Sequence, residues 1–156
     1  MEFRFTARSP EETIALGERI GERLRAGDII AYFGGLGAGK TTLTRGISMG
    51  LGLGDEVTSP TFALVNEYRK KDTKLPLIHF DMYRISGGEL ETTGFYDYLE
   101  EDCVIAVEWS ENIEEELPEG ALRIYIERIS GEEREFTLVC SDGDDRFEDI
   151  GDRYVR

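Results

Sequence analysis

Hydrophobic positions along this chain switch repeatedly between a period of two and a period near 3.6, the marks of strand and helix. Residues 2–7, EFRFTA, alternate as a short strand. Ser9, Pro10 and Glu12 then have the form of a capping box opening a helix, in which Ile14, Leu16, Ile20 and Leu24 recur near helical spacing and which Gly27 stops. The apolar run DIIAYF (28–33) reads as the next strand, GGLGAGK follows as a glycine-rich loop, and TTLTRGISMGLG (41–52) reads as a helix fading into glycines. After the turn-like GDEVTSP come two extended segments, TFALVNEY (61–68) and LPLIHFDMY (75–83), joined by the basic, polar RKKDTK as a hairpin or exposed loop. Short helical patches surround Glu89 and Tyr96 and lead to the strand CVIAVEW (103–109). Ser110 is placed to cap an acidic helix, ENIEEEL, that Pro118 ends. ALRIYIERIS and EREFTLVC alternate as an antiparallel pair around Gly131 and Glu132. The polar residues 142–156 are expected to be a loose tail or a short docked helix.

Composition narrows this picture. At 156 residues, with 40% hydrophobic content and no internal repeat, low-complexity tract or linker, residues 1–156 are expected to form a single domain. The 33 acidic residues against 18 basic ones leave a formal net charge of -15, which repels a polyanion and argues against direct, tight binding of RNA or DNA. Cys103 and Cys140 are too few and too far apart for a disulfide framework or a metal quartet, and Cys103, at the head of an apolar run, reads as a buried thiol. No run approaches the roughly 18 apolar residues of a membrane span, and the first residues lack a signal core, so a soluble, cytoplasmic protein is expected.

The loop carries the chemistry. Gly34, four residues, Gly39, Lys40 and Thr41 match G-x-x-x-x-G-K-[ST] between a strand and a helix. Its glycines let backbone N–H groups converge on phosphate oxygens, Lys40 is placed to bridge the β- and γ-phosphates, and the Thr41 hydroxyl to be a ligand of Mg²⁺. Such a site needs a carboxylate at a neighbouring strand end, and two are available: Asp81 ends LIHF and Glu108 ends VIAV. Either can hold the metal, directly or through water, or orient an attacking water. His79 reads as a packed or structural histidine rather than a base. The [NT]-K-x-D sequence by which Ras-type GTPases read guanine does not occur, which favours ATP.

Four blocks in this order, GGLGAGKTTLTRGISMGLG, VTSPTFALVNEY, HFDMYR and VEWSENI, resemble the TsaE family of small bacterial P-loop ATPases, needed to make threonylcarbamoyladenosine at position 37 of tRNAs that read ANN codons. Only the first block is shared with P-loop proteins at large. The resemblance implies an α/β, P-loop NTPase-like fold, with a mainly parallel sheet flanked by helices and an added antiparallel portion. It also implies ATP and Mg²⁺ as cofactors and slow hydrolysis by the chain alone. Carried over by position, Gly34, Gly35, Leu36, Gly37, Ala38, Gly39, Lys40, Thr41 and Thr42 would hold phosphates. Thr41, Asp81 and Glu108 would form the metal shell, with Lys40, Asp81 and Glu108 acting in catalysis. Ser59 and Thr61 would sense the γ-phosphate in a first switch, HFDMYR would be a second switch, and Trp109 would be functionally important beside Glu108. Arg45 and Arg84 are candidates for touching phosphate or a partner. Gly35 stands where the family commonly has an acidic residue. The implied partners are TsaB and TsaD, with tRNA reached only through them. Two other classes compete: a small-molecule P-loop kinase, which would want an arginine-bearing lid that this chain lacks, and a nucleotide-binding scaffold with negligible turnover.

Overall fold

The computed structural model describes all residues except 36–38, 59–63, 73–74, 151–152 and 155–156. The described strands form one sheet in the order β3-β4-β5-β2-β6-β7-β1-β8, where β1 is Glu2–Ala7, β2 Ile29–Phe33, β3 Val65–Tyr68, β4 Leu77–Asp81, β5 Val104–Glu108, β6 Leu122–Ser130, β7 Glu133–Val139 and β8 Arg153–Tyr154. Neighbours β4, β5, β2 and β6 run parallel, and the other four pairings are antiparallel. The sheet is thus mixed rather than mainly parallel as expected, because the N-terminal strand and the β6–β7 hairpin extend one edge and β3 the other. The central strands are buried on both faces, which is why their sequences are continuous apolar runs rather than alternating ones. In β6 and β7, by contrast, buried and less buried residues alternate along most of each strand.

Two helices, α1 (Pro10–Arg23) and α2 (Lys40–Gly50), lie on one face of the sheet, where Leu16, Ile20, Leu43 and Ile47 join Ile30, Ala106, Phe136 and Leu138 in a single cluster. The opposite face of β4, β5 and β2 is covered by two 3₁₀ segments, Gly87–Thr93 and Ser110–Glu116, and the short α3 (Phe95–Leu99). Beside the apolar positions, α1 and α2 meet through glycines. A Cβ on Gly46 would collide with the Ile14 carbonyl and come within 2.9 Å of the Gly17 Cα, and one on Gly17 would lie 2.5 Å from the Leu43 carbonyl. The buried stripe of α1 accordingly includes Thr13, Gly17 and Gly21 with Leu16 and Ile20, while Ile14 is only half-buried.

Local details depart from the sequence expectation in four places. Ser9 does cap α1, its Oγ accepting from the Glu12 N–H at 3.2 Å, but the Glu12 carboxylate accepts from the Arg8 N–H at 2.6 Å, one residue before the reciprocal bond of a full capping box. The helix ends at Arg23 with Leu24 extended, so Gly27, at φ 91, shapes the following turn rather than stopping the helix. Ser110 does not cap an α-helix: its hydroxyl donates to the Val107 carbonyl at 2.9 Å, and a 3₁₀ segment follows. Finally, the described residues of the C-terminal stretch, 142–150 and 153–154, pack against the sheet and helices without forming a helix. Phe147 and Ile150 are buried in the α1/α2 cluster, Arg146 pairs with Asp28 and Asp144, and β8 adds to β1. The buried-thiol expectation holds, since both cysteines are free and buried, and burial pushes the Cys103 thiol up to about 11. No helix among the described residues is long and apolar enough to cross a membrane.

Candidate functional site

The glycine-rich loop joins the end of β2 to the start of α2, at the end of the sheet where the parallel strands finish. Gly39 holds φ 105 at the helix N-cap, a backbone state that side-chain-bearing residues rarely adopt, and no side chain caps this terminus. Residues 36–38 lie outside the described residues, so nothing is said of Leu36, Gly37 and Ala38. At Gly35 a Cβ would meet nothing within 4 Å, so the missing acidic side chain leaves open space rather than a packing constraint.

Below the loop, the fully buried Tyr32 hydroxyl lies 2.8 Å from Thr44 Oγ1, which donates to the Lys40 carbonyl at 2.8 Å. This ties the first turn of α2 to β2. Burial raises the Tyr32 phenol well beyond its usual range, so the group stays neutral. Lys40 itself is 6% exposed, with Nζ 4.8 Å from the Trp109 ring centroid. Trp109 occupies the left-handed region at φ 59, unusual for a bulky residue, and also packs on Tyr83 at 4.9 Å between ring centroids. Thr41 and Thr42 are half-buried in the same helical turn.

Asp81 and Glu108 end adjacent parallel strands and are direct partners in the β4–β5 ladder. Their shared register puts both carboxylates on the α2 side of the sheet. Burial raises the Asp81 carboxyl; the Tyr83 N–H, bonded to Oδ1 at 2.8 Å, offsets part of this, Glu108 adds to it, and His79 and Lys40 oppose it. Glu108 is 7% exposed, and among the described residues its Oε2 has no aligned hydrogen-bond donor. The fully buried His79 brings Nε2 within 2.8 Å of that oxygen, off the line of a ring N–H.

The structure therefore gathers Lys40, Thr41, Asp81, Glu108 and Trp109 at one end of the sheet. Ser59 and Thr61 lie outside the described residues. Arg45 is engaged with the exposed Asp55 at 3.5 Å, and Arg84 is exposed. Sequence reasoning missed a shallow depression beside Gly39 and Thr42, lined also by Pro10, Thr13, Glu132 and Arg134. Its walls come from the start of α1 and the β6–β7 turn, which carry no motif. Their one advance signal is that Pro10 and Thr13 belong to a helix start.

These features define a class: an α/β protein in which a lysine-bearing glycine loop and two strand-end carboxylates share one end of a mixed sheet. Residues 7–136 match the family model described as Threonylcarbamoyl adenosine biosynthesis protein TsaE, and the chain belongs to that family. It is 40% identical over 146 residues to the tRNA threonylcarbamoyladenosine biosynthesis protein TsaE of Bacillus subtilis, covering 94% of this chain and 85% of that protein. The Streptomyces coelicolor protein of the same name is 48% identical over 119 residues, covering 75% of this chain and 80% of the relative. The crystal structure of Bacillus subtilis YdiB superposes with a TM-score of 0.75 at 35% identity, covering 96% of this chain and 91% of that one.

Proposed function

We propose that this protein is the Mg²⁺-dependent ATPase subunit of the cytoplasmic machinery that installs threonylcarbamoyl on tRNA adenosine 37, and that it hydrolyses ATP to drive or reset a TsaB–TsaD complex. The observation that carries this reading is the buried Glu108 oxygen, without an aligned donor among the described residues, in register with Asp81 at the end of the sheet that carries Lys40. A buried anionic oxygen is costly unless something cationic faces it. The donor set of two carboxylates and the Thr41 hydroxyl is the hard, oxygen-rich kind that suits Mg²⁺. Among the described residues no three His, Cys, Asp or Glu side chains form a metal cage, so the remaining ligands would be nucleotide oxygens and water.

In this reading Lys40 leaves the Trp109 ring to meet the β- and γ-phosphates, the N-terminal amides of α2 receive the phosphate oxygens, and Thr41 with Glu108 or Asp81 would hold Mg²⁺. The ion, when bound, neutralises charge developing on the transferring phosphoryl oxygens. The other strand-end carboxylate orients the attacking water. In this reading the depression at Pro10, Thr13, Glu132 and Arg134, beside Gly39 and Thr42, would receive the nucleoside end of the ligand. A chain of net charge -15 suits a subunit that leaves tRNA to its partners. Turnover is expected to be slow alone and faster with TsaB and TsaD, and partner affinity to differ between ATP and ADP states, because linkage is reciprocal. Phosphate release and partner affinity, measured with ATP, ADP and a non-hydrolysable analogue, test this. Turnover indifferent to the partners, together with one partner affinity for all nucleotides, would refute it.

A further inference from the structure

His79 is the only histidine in the sequence and is 0% exposed, set among Leu77, Ile78 and Phe80, which are equally buried. Among the described residues neither ring nitrogen has an aligned hydrogen-bond partner. An aliphatic side chain at this place would satisfy the core without a buried polar group, so the imidazole is held here at a cost in stability. Its surroundings show what that cost serves. In the β4–β5 ladder His79 faces Ala106, and two residues on Asp81 faces Glu108. Residues two apart share a face of the sheet, so these four side chains form a square on the α2 side. The Ala106 corner is only a methyl group. The imidazole therefore has room to lean across the diagonal, and its Nε2 lies 2.8 Å from Glu108 Oε2.

We propose that His79 is a positioning residue for Glu108, its Nε2 fixing the carboxylate in the orientation in which it works on the metal ion or on the attacking water. The inference rests on the role of Glu108 proposed above. A glutamate side chain has three rotatable bonds, and a preset contact removes part of the ordering that ligand binding would otherwise have to supply. The contact already has hydrogen-bond length and lacks only alignment, a common state of such bonds in sites without substrate.

The test uses the full chain with its partner pair and four variants: His79→Leu, His79→Gln, Glu108→Gln and the double variant His79→Leu/Glu108→Gln. Three properties are read: thermal unfolding, kcat and KM for ATP, and binding of Mn²⁺ as a spectroscopic substitute in the presence of a non-hydrolysable ATP analogue. His79→Leu is expected to unfold no earlier than wild type, to keep KM within about twofold, and to lose kcat and Mn²⁺ affinity by about 10- to 100-fold, as loss of an outer-shell partner does. His79→Gln, whose amide can still donate toward Glu108, restores part of both losses. In the Glu108→Gln background, His79→Leu adds less than about a twofold effect, because the group it positions is already gone. A His79→Leu protein with wild-type kcat and Mn²⁺ affinity, beside an impaired Glu108→Gln, overturns this inference alone. So does a His79→Leu protein that loses stability and activity together without rescue by Gln. If Glu108→Gln itself turns over ATP and binds Mn²⁺ like wild type, the reading of Glu108 falls, and this inference with it.

Discussion

The parallel and antiparallel halves of the sheet obey different rules. In β6, β7 and β1 the residues facing the helices are apolar, among them Ile124, Phe136, Leu138 and Phe3, and the other face carries polar and charged groups such as Arg123, Glu127 and Glu135. In β4, β5 and β2 the buried face instead holds His79, Glu108 and Tyr32, the nearby Lys40 is almost inaccessible, and Trp109 sits in a left-handed backbone state. One half is built for stability. The other accepts buried polar atoms and backbone strain, which accumulate where chemistry has to be done.

The largest contrast comes from one truncation in each half. Phe136→Ala removes a fully buried ring from the middle of the antiparallel half and is expected to cost about 3–5 kcal/mol of unfolding free energy. Below its lowered unfolding temperature the variant is expected to bind ATP like wild type. Lys40→Ala is expected to reverse the pattern: nucleotide affinity falls about a hundredfold, as loss of charge-assisted bonds to phosphate implies, while unfolding shifts little. Denaturant titration and calorimetry on both variants check this. Comparable unfolding losses in the two would show that the Lys40–Trp109 contact is a structural element rather than a resting place for the lysine.

This division also decides what the sequence could reveal. The glycine-rich stretch from Gly34 to Thr41 stood out in the sequence because its residues are contiguous and match one spaced motif between a strand and a helix. Asp81 and Glu108 were legible because each follows a four-residue, mostly apolar run, LIHF and VIAV, and the structure makes them ladder partners. The His79–Glu108 diagonal was not, since it depends on which strand lies beside β4 and on Ala106 being small. Pro10, Thr13, Glu132 and Arg134 meet only after α1 and the β6–β7 turn are brought together. The docking of residues 146–150 was not legible because Phe147 and Ile150 stand alone among charges and show no period, yet each fills a place in the core. Ser110 looked like a cap, but Trp109 turns the chain before it.

Contact between α1 and α2 bridges the two halves, since α2 begins at Lys40. Gly46→Ala would drive a methyl into the Ile14 carbonyl and the Gly17 Cα, both backbone, so the helices must separate. Overpacking of this kind costs about 1–3 kcal/mol, opposed by about 1 kcal/mol of helix propensity gained. Because the shift moves the helix that presents Lys40, nucleotide affinity is expected to fall severalfold as well. A Gly46→Ala protein with reduced stability but unchanged affinity, by the same two measurements, would mean that the loop holds its shape independently of α1.

The smallest effect belongs to the docked C-terminal segment, which packs at the start of β2, the end opposite the glycine-rich loop. Arg146 donates to Asp144 at 2.9 Å through both Nε and Nη2 and to Asp28 at 2.7 Å through Nη1, tying the segment to the turn before β2. The Arg146 guanidinium holds the Asp144 carboxyl below its usual range. The sign follows from linkage: a carboxylate with a depressed folded-state pKa stabilises the fold above its unfolded-state value, and that contribution disappears as pH falls through the folded-state value. Asp144→Asn is therefore expected to lower stability by about 1 kcal/mol or less near neutral pH, the scale of partly exposed ion pairs. The gap between the two proteins should close on acidification below the ordinary carboxylate range. ATP affinity should be the same in both at neutral pH. Thermal unfolding from neutral to strongly acidic pH checks the first point, and a gap that widens with acid would mean that Asp144 does not act through its charge on Arg146.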